Sequence, residues 1–278
     1  MSKHKLIPYP VIAAAVRGDP EAVNRVLDHY SGYIAALSMR RGYDQNGNPC
    51  LAVDEEIRRR IDQAARETGR TGADITLVGA SKMNDAAACQ EAIAAGIDVL
   101  GENREQEMTK KLAEHAYDGA PLHFIGHLQR NKVKNVVGKV AMIESVGSLE
   151  LLSAIDKQAE KLGIVQDILL EVNIGGEEAK SGFAPESLEQ AAEEAKKCAN
   201  VRVRGLMCIP PVAEGEHGSL PYFEKVHALF VDINAKLYDN TLDILSMGMS
   251  GDYEDAVRAG ATMVRVGTAI FGARNYTI

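Results

Sequence analysis

The chain has no tryptophan and only five phenylalanines, and aromatic residues fill 5% of its 278 positions. A core must therefore be built from aliphatic side chains, which the 46% hydrophobic content supplies at the level ordinary for a globular protein. Cysteine is scarce: Cys50, Cys89, Cys198 and Cys208 stand far apart, with no CxxC and no metal-like spacing. That pattern fits reduced thiols and excludes a disulfide scaffold or a zinc knuckle. No apolar run approaches the length of a membrane span, and the opening MSKHKLIPYPVIAAAV lacks the pattern of a secretory signal. The expectation is a cytoplasmic protein without a membrane partner. Positive charge is not in excess either; a net charge of -8 argues against nucleic acid as the main partner.

Several motifs are missing as well. No HExxH occurs, and the seven histidines are dispersed. GEEAKS at 176–181 lacks the glycine that a P-loop places before its lysine. Gly248-Met249-Ser250-Gly251 is not a GxSxG nucleophile elbow.

What is present divides unevenly. Residues 1–53 hold six Lys/Arg against four Asp/Glu, whereas the remainder holds 25 against 35. Asp19-Pro20 reads as a capping carboxylate followed by proline in the first helical turn. Val23, Val26, Leu27, Tyr30, Ile34 and Leu37 then recur at helical spacing, predicting a helix from about Pro20 to Met39 that ends near Gly42. YDQNGNP at 43–49 reads as a turn. A second helix, Val53 to Gly69, places Val53, Ile57, Ile61, Ala64 and Ala65 on one face. The boundary falls between a helical extension, 1–53, and a main domain, 54–278.

From Ile75 onward short apolar runs alternate with helical patterns. Strands are expected at 75–80, 97–100, 121–125, 139–144, 167–173, 201–207, 242–246 and 262–266, with helices at 85–95, 103–115, 128–136, 148–162, 185–198, 219–238 and 250–259. Strand–helix alternation implies a parallel sheet, and eight units in about 200 residues fit an α/β fold of the (β/α)8 barrel type. An open doubly wound sheet is the alternative, but no GxGxxG follows the first strand.

In such a barrel, chemistry sits where strands end. ITLVGASK at 75–82 ends a buried strand on Lys82, with Asn84 or Asp85 placed to cap the next helix. An amine at that rim, among apolar neighbours, could attack an aldehyde. The last two strands close on Ser246-Met247-Gly248-Met249-Ser250 and on Arg265-Val266-Gly267-Thr268. Loops at those two positions often hold phosphate through backbone N–H groups, and Gly267 with the hydroxyls of Ser246 and Thr268 suits that purpose. Asn103 follows the second strand and Asn173 ends the fifth.

The ordered blocks SK (81–82), GEN (101–103), HFIGHLQRNK (123–132), VNIGGEEAKSG (172–182), RGLMCIPP (204–211), LSMGMSGD (245–252) and MVRVGTAIFG (263–272) resemble the pyridoxal phosphate homeostasis proteins, from about Ile57 to Arg274. The resemblance implies a barrel like the N-terminal domain of bacterial alanine racemase, binding pyridoxal 5'-phosphate (PLP). It implies Lys82 as the Schiff-base lysine and Arg265 facing the pyridine nitrogen. Ser246, Gly267 and Thr268 would hold the phosphate, with Asn103 and Asn173 near the ring. Gly147 departs from the family, where aspartate is frequent. An arginine can only donate to the ring nitrogen, which makes the ring a poor electron sink. The second base of alanine racemases comes from a further β domain, which this chain, ending at Ile278, is expected to lack. The function expected is intracellular PLP homeostasis: a carrier and buffer serving apo PLP-dependent enzymes without robust turnover. The alternative is a PLP-dependent amino-acid racemase. Separately, YPVIAAAVRGDPEAVNRVLDHYSGYIAALS with YDQNGNP and VDEEIRRR resembles the start of small helix-turn-helix proteins of conjugative transposons, though no recognition helix stands out.

Overall fold

The apolar runs expected as strands pair in parallel until the sheet closes on itself. The computed structural model describes residues 11, 22, 41–43, 49–51, 55–177, 180–212, 215 and 217–271. Two short strands come first, β1 (Arg41–Tyr43) and β2 (Pro49–Leu51), paired antiparallel. Gly42, near the expected end of the first helix, lies within β1; residues 44–48 of the expected turn lie outside the described residues. Ala22 is helical and buried; the rest of the helix expected from Pro20 to Met39 lies outside the described residues.

Helix α1 (Glu55–Arg66) follows, burying Ile57, Ile61, Ala64 and Ala65 as their spacing required. The barrel then runs β3 (Thr76–Ala80), α2 (Ala86–Ala94), β4 (Val99–Glu102), α3 (Glu105–Ala113), β5 (Leu122–Phe124), β6 (Met142–Val146), α4 (Leu149–Leu162), β7 (Gln166–Val172), α5 (Leu188–Lys196), β8 (Val201–Cys208), α6 (Leu220–Leu237), β9 (Ile244–Ser246), α7 (Tyr253–Arg258), β10 (Met263–Val266) and α8 (Thr268–Phe271). Strands β3 to β10 form one closed parallel barrel, with β10 pairing β3. Local chemistry sets several boundaries. Asp85 caps α2 by accepting from Ala88 N–H, Ser148 caps α4, and Gly163 ends α4 in the left-handed region.

Only one expected helix of the barrel is not α-helical. Residues 128–136 form a 3-10 turn, Arg130–Asn135. Its polar side chains are drawn to Glu105 on α3: Asn135 Nδ2 donates to Oε1 at 2.6 Å, and Lys132 Nζ lies 3.1 Å from Oε2. A tightened turn is thus fixed by tertiary contacts rather than continued as a helix.

Inside the barrel, Val78, Val99, Ile125 and Met263 make one apolar layer with Ala80 and Ile244 against it, and Met142, Leu169 and Met207 make another. The outer faces of the strands join the helices in the main core. Side chains alternate between faces along a strand, so interior position can be counted forward from these layers to the rim. Gly205 shows how tight the wall is. A Cβ there would lie 1.7 Å from the Ile244 carbonyl oxygen, at the point where the β7–β8 register shifts.

Candidate functional site at the barrel mouth

Counting by twos from the interior layers leads to a set of polar residues at the C-terminal ends of the strands. Val78 and Ala80 lead to Lys82, Val99 leads through Gly101 to Asn103, Met142 to Glu144, Leu169 to Glu171 and Asn173, Ile244 to Ser246, and Met263 to Arg265 and Gly267. Of the seven residues expected to bind a ligand, Ser246 and Arg265 lie within strands on the inward alternation, and Lys82, Asn103, Asn173 and Gly267 follow within two residues of the ends of β3, β4, β7 and β10. The strand pairing brings two ends together. Val266 is opposite Gly79, and Gly267 lies against Ala80, whose carbonyl oxygen would be 3.3 Å from a Cβ at residue 267. Lys82, half-buried, stands two residues past that contact.

Arg265 is 3% exposed and is fixed from below. Its Nη1 donates to Ser246 Oγ at 2.5 Å and its Nη2 to the Cys208 carbonyl at 2.8 Å. Ser246 Oγ in turn donates to Glu144 Oε2 at 2.6 Å, and His123 Nδ1 lies 2.7 Å from Glu144 Oε1. The Glu144 carboxylate is fully buried, which by itself pushes its pKa up; the His123 hydrogen bond, the charges of His123 and Arg265, and the Ser246 hydrogen bond outweigh burial, and the pKa is lowered. Glu144 is thus a buried anion 3.9 Å from the guanidinium. The hydroxyl of Ser246 thus links Arg265 to Glu144. Cys208 offers no nucleophile, since burial pushes its thiol up to about 12.

The turn after β10 has the features of an anion cradle. Gly267 N–H donates to Ser250 Oγ at 3.3 Å, and the Gly267 carbonyl accepts from Ile270 and Phe271 N–H. The N–H groups of the first α8 residues are therefore not consumed by helix bonds. Thr268 is exposed there. Ser250 was not singled out from the sequence; its signal was a hydroxyl in the same SMGMS turn.

Asn173 and Asn103 differ in how they are engaged. Asn173 Nδ2 donates to the carbonyls of Glu177 (2.9 Å) and Lys180 (3.3 Å), so it folds the following loop back onto the strand. Asn103 Oδ1 is buried with no hydrogen-bond partner among the described residues. Glu171 is 7% exposed, takes one bond from Ser181 Oγ at 3.2 Å on Oε1, and leaves Oε2 without a partner. Burial raises its pKa, with Ser181, His127 and Arg265 only partly offsetting that. Gly147 is where the loop seats: a Cβ would lie 2.6 Å from Gly182 N and 3.2 Å from Glu171 Oε2. A cleft of about 750 Å³ opens beside it, lined by His127, Ser145, Lys180 and Ser181 among others. Glu144 and Glu171 were not anticipated, because nothing in a single strand shows that an inward carboxylate will meet a partner far away in sequence.

Among the described residues, no group of three or more His, Cys, Asp or Glu side chains could hold a metal ion, and no helix is long and apolar enough to cross a membrane.

Residues 55–275 match the family model described as alanine racemase, N-terminal domain, and residues 9–64 match one described as a helix-turn-helix domain. The pyridoxal phosphate homeostasis protein of Aquifex aeolicus is 44% identical over 229 residues, covering 82% of this chain and 100% of that one. The chain belongs to the pyridoxal phosphate homeostasis protein family. Its counterpart from Pseudomonas aeruginosa is 42% identical over 224 residues, covering 80% and 94% of the two chains. Among solved structures, PipY of Synechococcus elongatus with PLP bound superposes with a TM-score of 0.67 at 32% identity, over 76% of this chain and 100% of that one. An alanine racemase of Clostridium difficile shares the fold at 17% identity and a TM-score of 0.63, over 80% of this chain and 60% of its own. Family membership extends over the barrel; the segment before α1 is additional to it.

Proposed function

We propose that the chain binds PLP at the barrel mouth through Lys82 and serves intracellular PLP homeostasis, as a cytoplasmic carrier and buffer that passes the cofactor to apo-enzymes. When bound, PLP supplies an aldehyde carbon that a lysine amine can bond with loss of water, a pyridine nitrogen and an anionic phosphate. The residues present suit all three parts. Lys82 is a half-buried primary amine two residues past the end of β3, the strand that pairs with β10 just before Gly267. That turn offers the backbone N–H groups of α8's first residues and the hydroxyls of Thr268 and Ser250 to an anion. Asn103 Oδ1 is a buried acceptor with no partner among the described residues, as a group reserved for a ligand would be.

The observation that supports PLP held with little turnover is the fixation of Arg265; racemisation with such an arginine needs a second base on the opposite face of the ring. A guanidinium has only N–H donors to offer. That of Arg265 is anchored by Ser246 and Cys208 and sits 3.9 Å from the Glu144 carboxylate. A ring nitrogen facing this group accepts a hydrogen bond and gains no proton, so carbanions formed next to the ring would be poorly stabilised. Lys82 then holds the aldehyde, Arg265 orients the ring, and the 267–268 turn retains the phosphate.

The test is borohydride reduction of PLP-loaded protein, followed by peptide mass mapping and an assay of alanine racemisation. The phosphopyridoxyl mass is expected on Lys82, without sustained turnover of either alanine enantiomer. Label elsewhere, or none, would remove the site assignment. Steady racemisation abolished by Lys82→Ala would replace the carrier with a racemase.

A further inference from the structure

The residues on either side of Lys82 are gripped by a buried charge cluster that the reading above does not use. Ser81 is fully buried; its Oγ donates to Glu102 Oε1 at 2.6 Å, and its carbonyl accepts from Lys111 Nζ at 2.8 Å. On the other side, Met83 N–H donates to Glu107 Oε1. Lys111 ties the two grips together, with Nζ 2.7 Å from Glu102 Oε1 and 2.8 Å from Glu107 Oε1. Tyr117 OH completes the cluster on Glu102 Oε1 at 3.0 Å.

Such a cluster is costly. Lys111 and Glu102 are 3% and 0% exposed, and a buried ion pair loses more hydration than a surface one. Burial lowers the Lys111 pKa, yet the charge and hydrogen bond of Glu102 and the hydrogen bond of Glu107 more than restore it, so the group stays cationic. Met83 adds a second cost, with φ at +63° in the left-handed region that a methionine seldom adopts. A loop that merely joined β3 to α2 would need neither. The Lys111 and Glu107 contacts fall on backbone atoms of residues 81 and 83, and so bracket residue 82. Glu107 and Lys111, four apart on α3, present both ends of the grip from one helical face.

We propose that Glu107 and Lys111, backed by Glu102, form a positioning device that fixes the backbone around Lys82 and so aims its amine into the barrel mouth. The inference rests on Lys82 being the PLP-capturing amine. None of the three carboxylate and ammonium groups is a catalytic residue; they act through the strand end they hold. Misplacement of a reacting atom by about an ångström is enough to slow a reaction on the order of a hundredfold, so loosening the grip should act on capture before it acts on folding.

The experiment uses the full chain. PLP capture is followed by borohydride quenching at timed intervals and quantifying label on Lys82. Affinity for pyridoxine 5'-phosphate, which has the same ring and phosphate but no aldehyde, is measured in parallel with the melting temperature. Glu107→Ala keeps a good helix former at a partly exposed position and removes the acceptor for Met83 N–H. It is expected to slow labelling by about tenfold or more while pyridoxine phosphate affinity is retained. Glu107→Gln preserves an acceptor oxygen and should recover most of the rate. Labelling at the wild-type rate in Glu107→Ala would overturn the proposal, as would equal losses of labelling and pyridoxine phosphate binding. Absence of label on Lys82 in the wild-type protein would instead overturn the site reading and, with it, this inference.

Discussion

Two carboxylates at the barrel mouth show how neighbours decide what burial does to an acid. Glu144 has its pKa lowered because His123, Arg265 and Ser246 outweigh desolvation, whereas desolvation wins at Glu171 and the pKa is raised. The consequences for stability have opposite signs. The contribution of Glu144 is present above the unfolded carboxylate pKa and is lost as pH falls through its lower folded value. Glu171 behaves inversely: the folded state favours its proton, so stability falls as pH rises from the unfolded pKa through the folded one. Replacing Glu144 by Gln leaves Arg265 without its buried anion and should cost about 3–5 kcal/mol at neutral pH, with a smaller difference in acid. Replacing Glu171 by Met removes a buried acceptor that lacks a partner, and should raise stability by about 1–2 kcal/mol at pH 8. That gain should shrink toward pH 4. Thermal melts of the cofactor-free proteins across pH check both, and a Glu171→Met variant no more stable than wild type at pH 8 would contradict the assignment.

At the scale of elements, the barrel was legible because parallel strands covered on both faces read as short apolar runs bounded by helix caps. All eight expected strands are present within a few residues. Lys82, Arg265 and Gly267 were legible for the same reason, since a strand end identifies the rim. What a single strand could not show was partnership. Glu144 meets Ser246 across 102 positions of sequence, and Glu102 meets Lys111 only because α3 packs back over β3 and β4. Residues 130–135 took a 3-10 turn for the same kind of reason, through contacts with Glu105. The wall itself makes a prediction. A methyl group at Gly205 would lie 1.7 Å from the backbone of β9, while one at Gly251 meets nothing within 4 Å. Gly205→Ala should cost about 3 kcal/mol or more, a drop of roughly 6–12 °C in melting temperature. Gly251→Ala should stay within about 0.5 kcal/mol of wild type. Equal melting temperatures for the two variants would mean that β8 and β9 are not in this register.

The whole molecule joins a barrel to a segment its relatives do not share. The Aquifex protein is matched along its entire length by 82% of this chain, and the family match begins at residue 55. The helix-turn-helix match extends to residue 64 and so overlaps the barrel match within α1. Packing supports our proposal that the division falls before Glu55. Ile57 and Ile61 are 3% and 2% exposed in the main core, Arg60 and Glu56 pair on the outer side, and Arg258 of α7 reaches Glu67 just beyond the helix. An apolar face already committed to the barrel is not available to close a separate small domain, which is the ground for proposing that α1 goes with the barrel. A chain starting at Asp54 is accordingly expected to fold, to melt within a few degrees of the full protein and to be labelled by PLP and borohydride at the same lysine. Removal of residues 1–53 takes away six basic and four acidic side chains and leaves the remainder at 25 against 35. That remainder is too acidic to hold duplex DNA by phosphate contacts. Any salt-sensitive DNA binding by the full chain must therefore disappear with the deletion while PLP labelling persists. Loss of labelling together with the segment would show that the barrel mouth depends on it, and would place the boundary elsewhere.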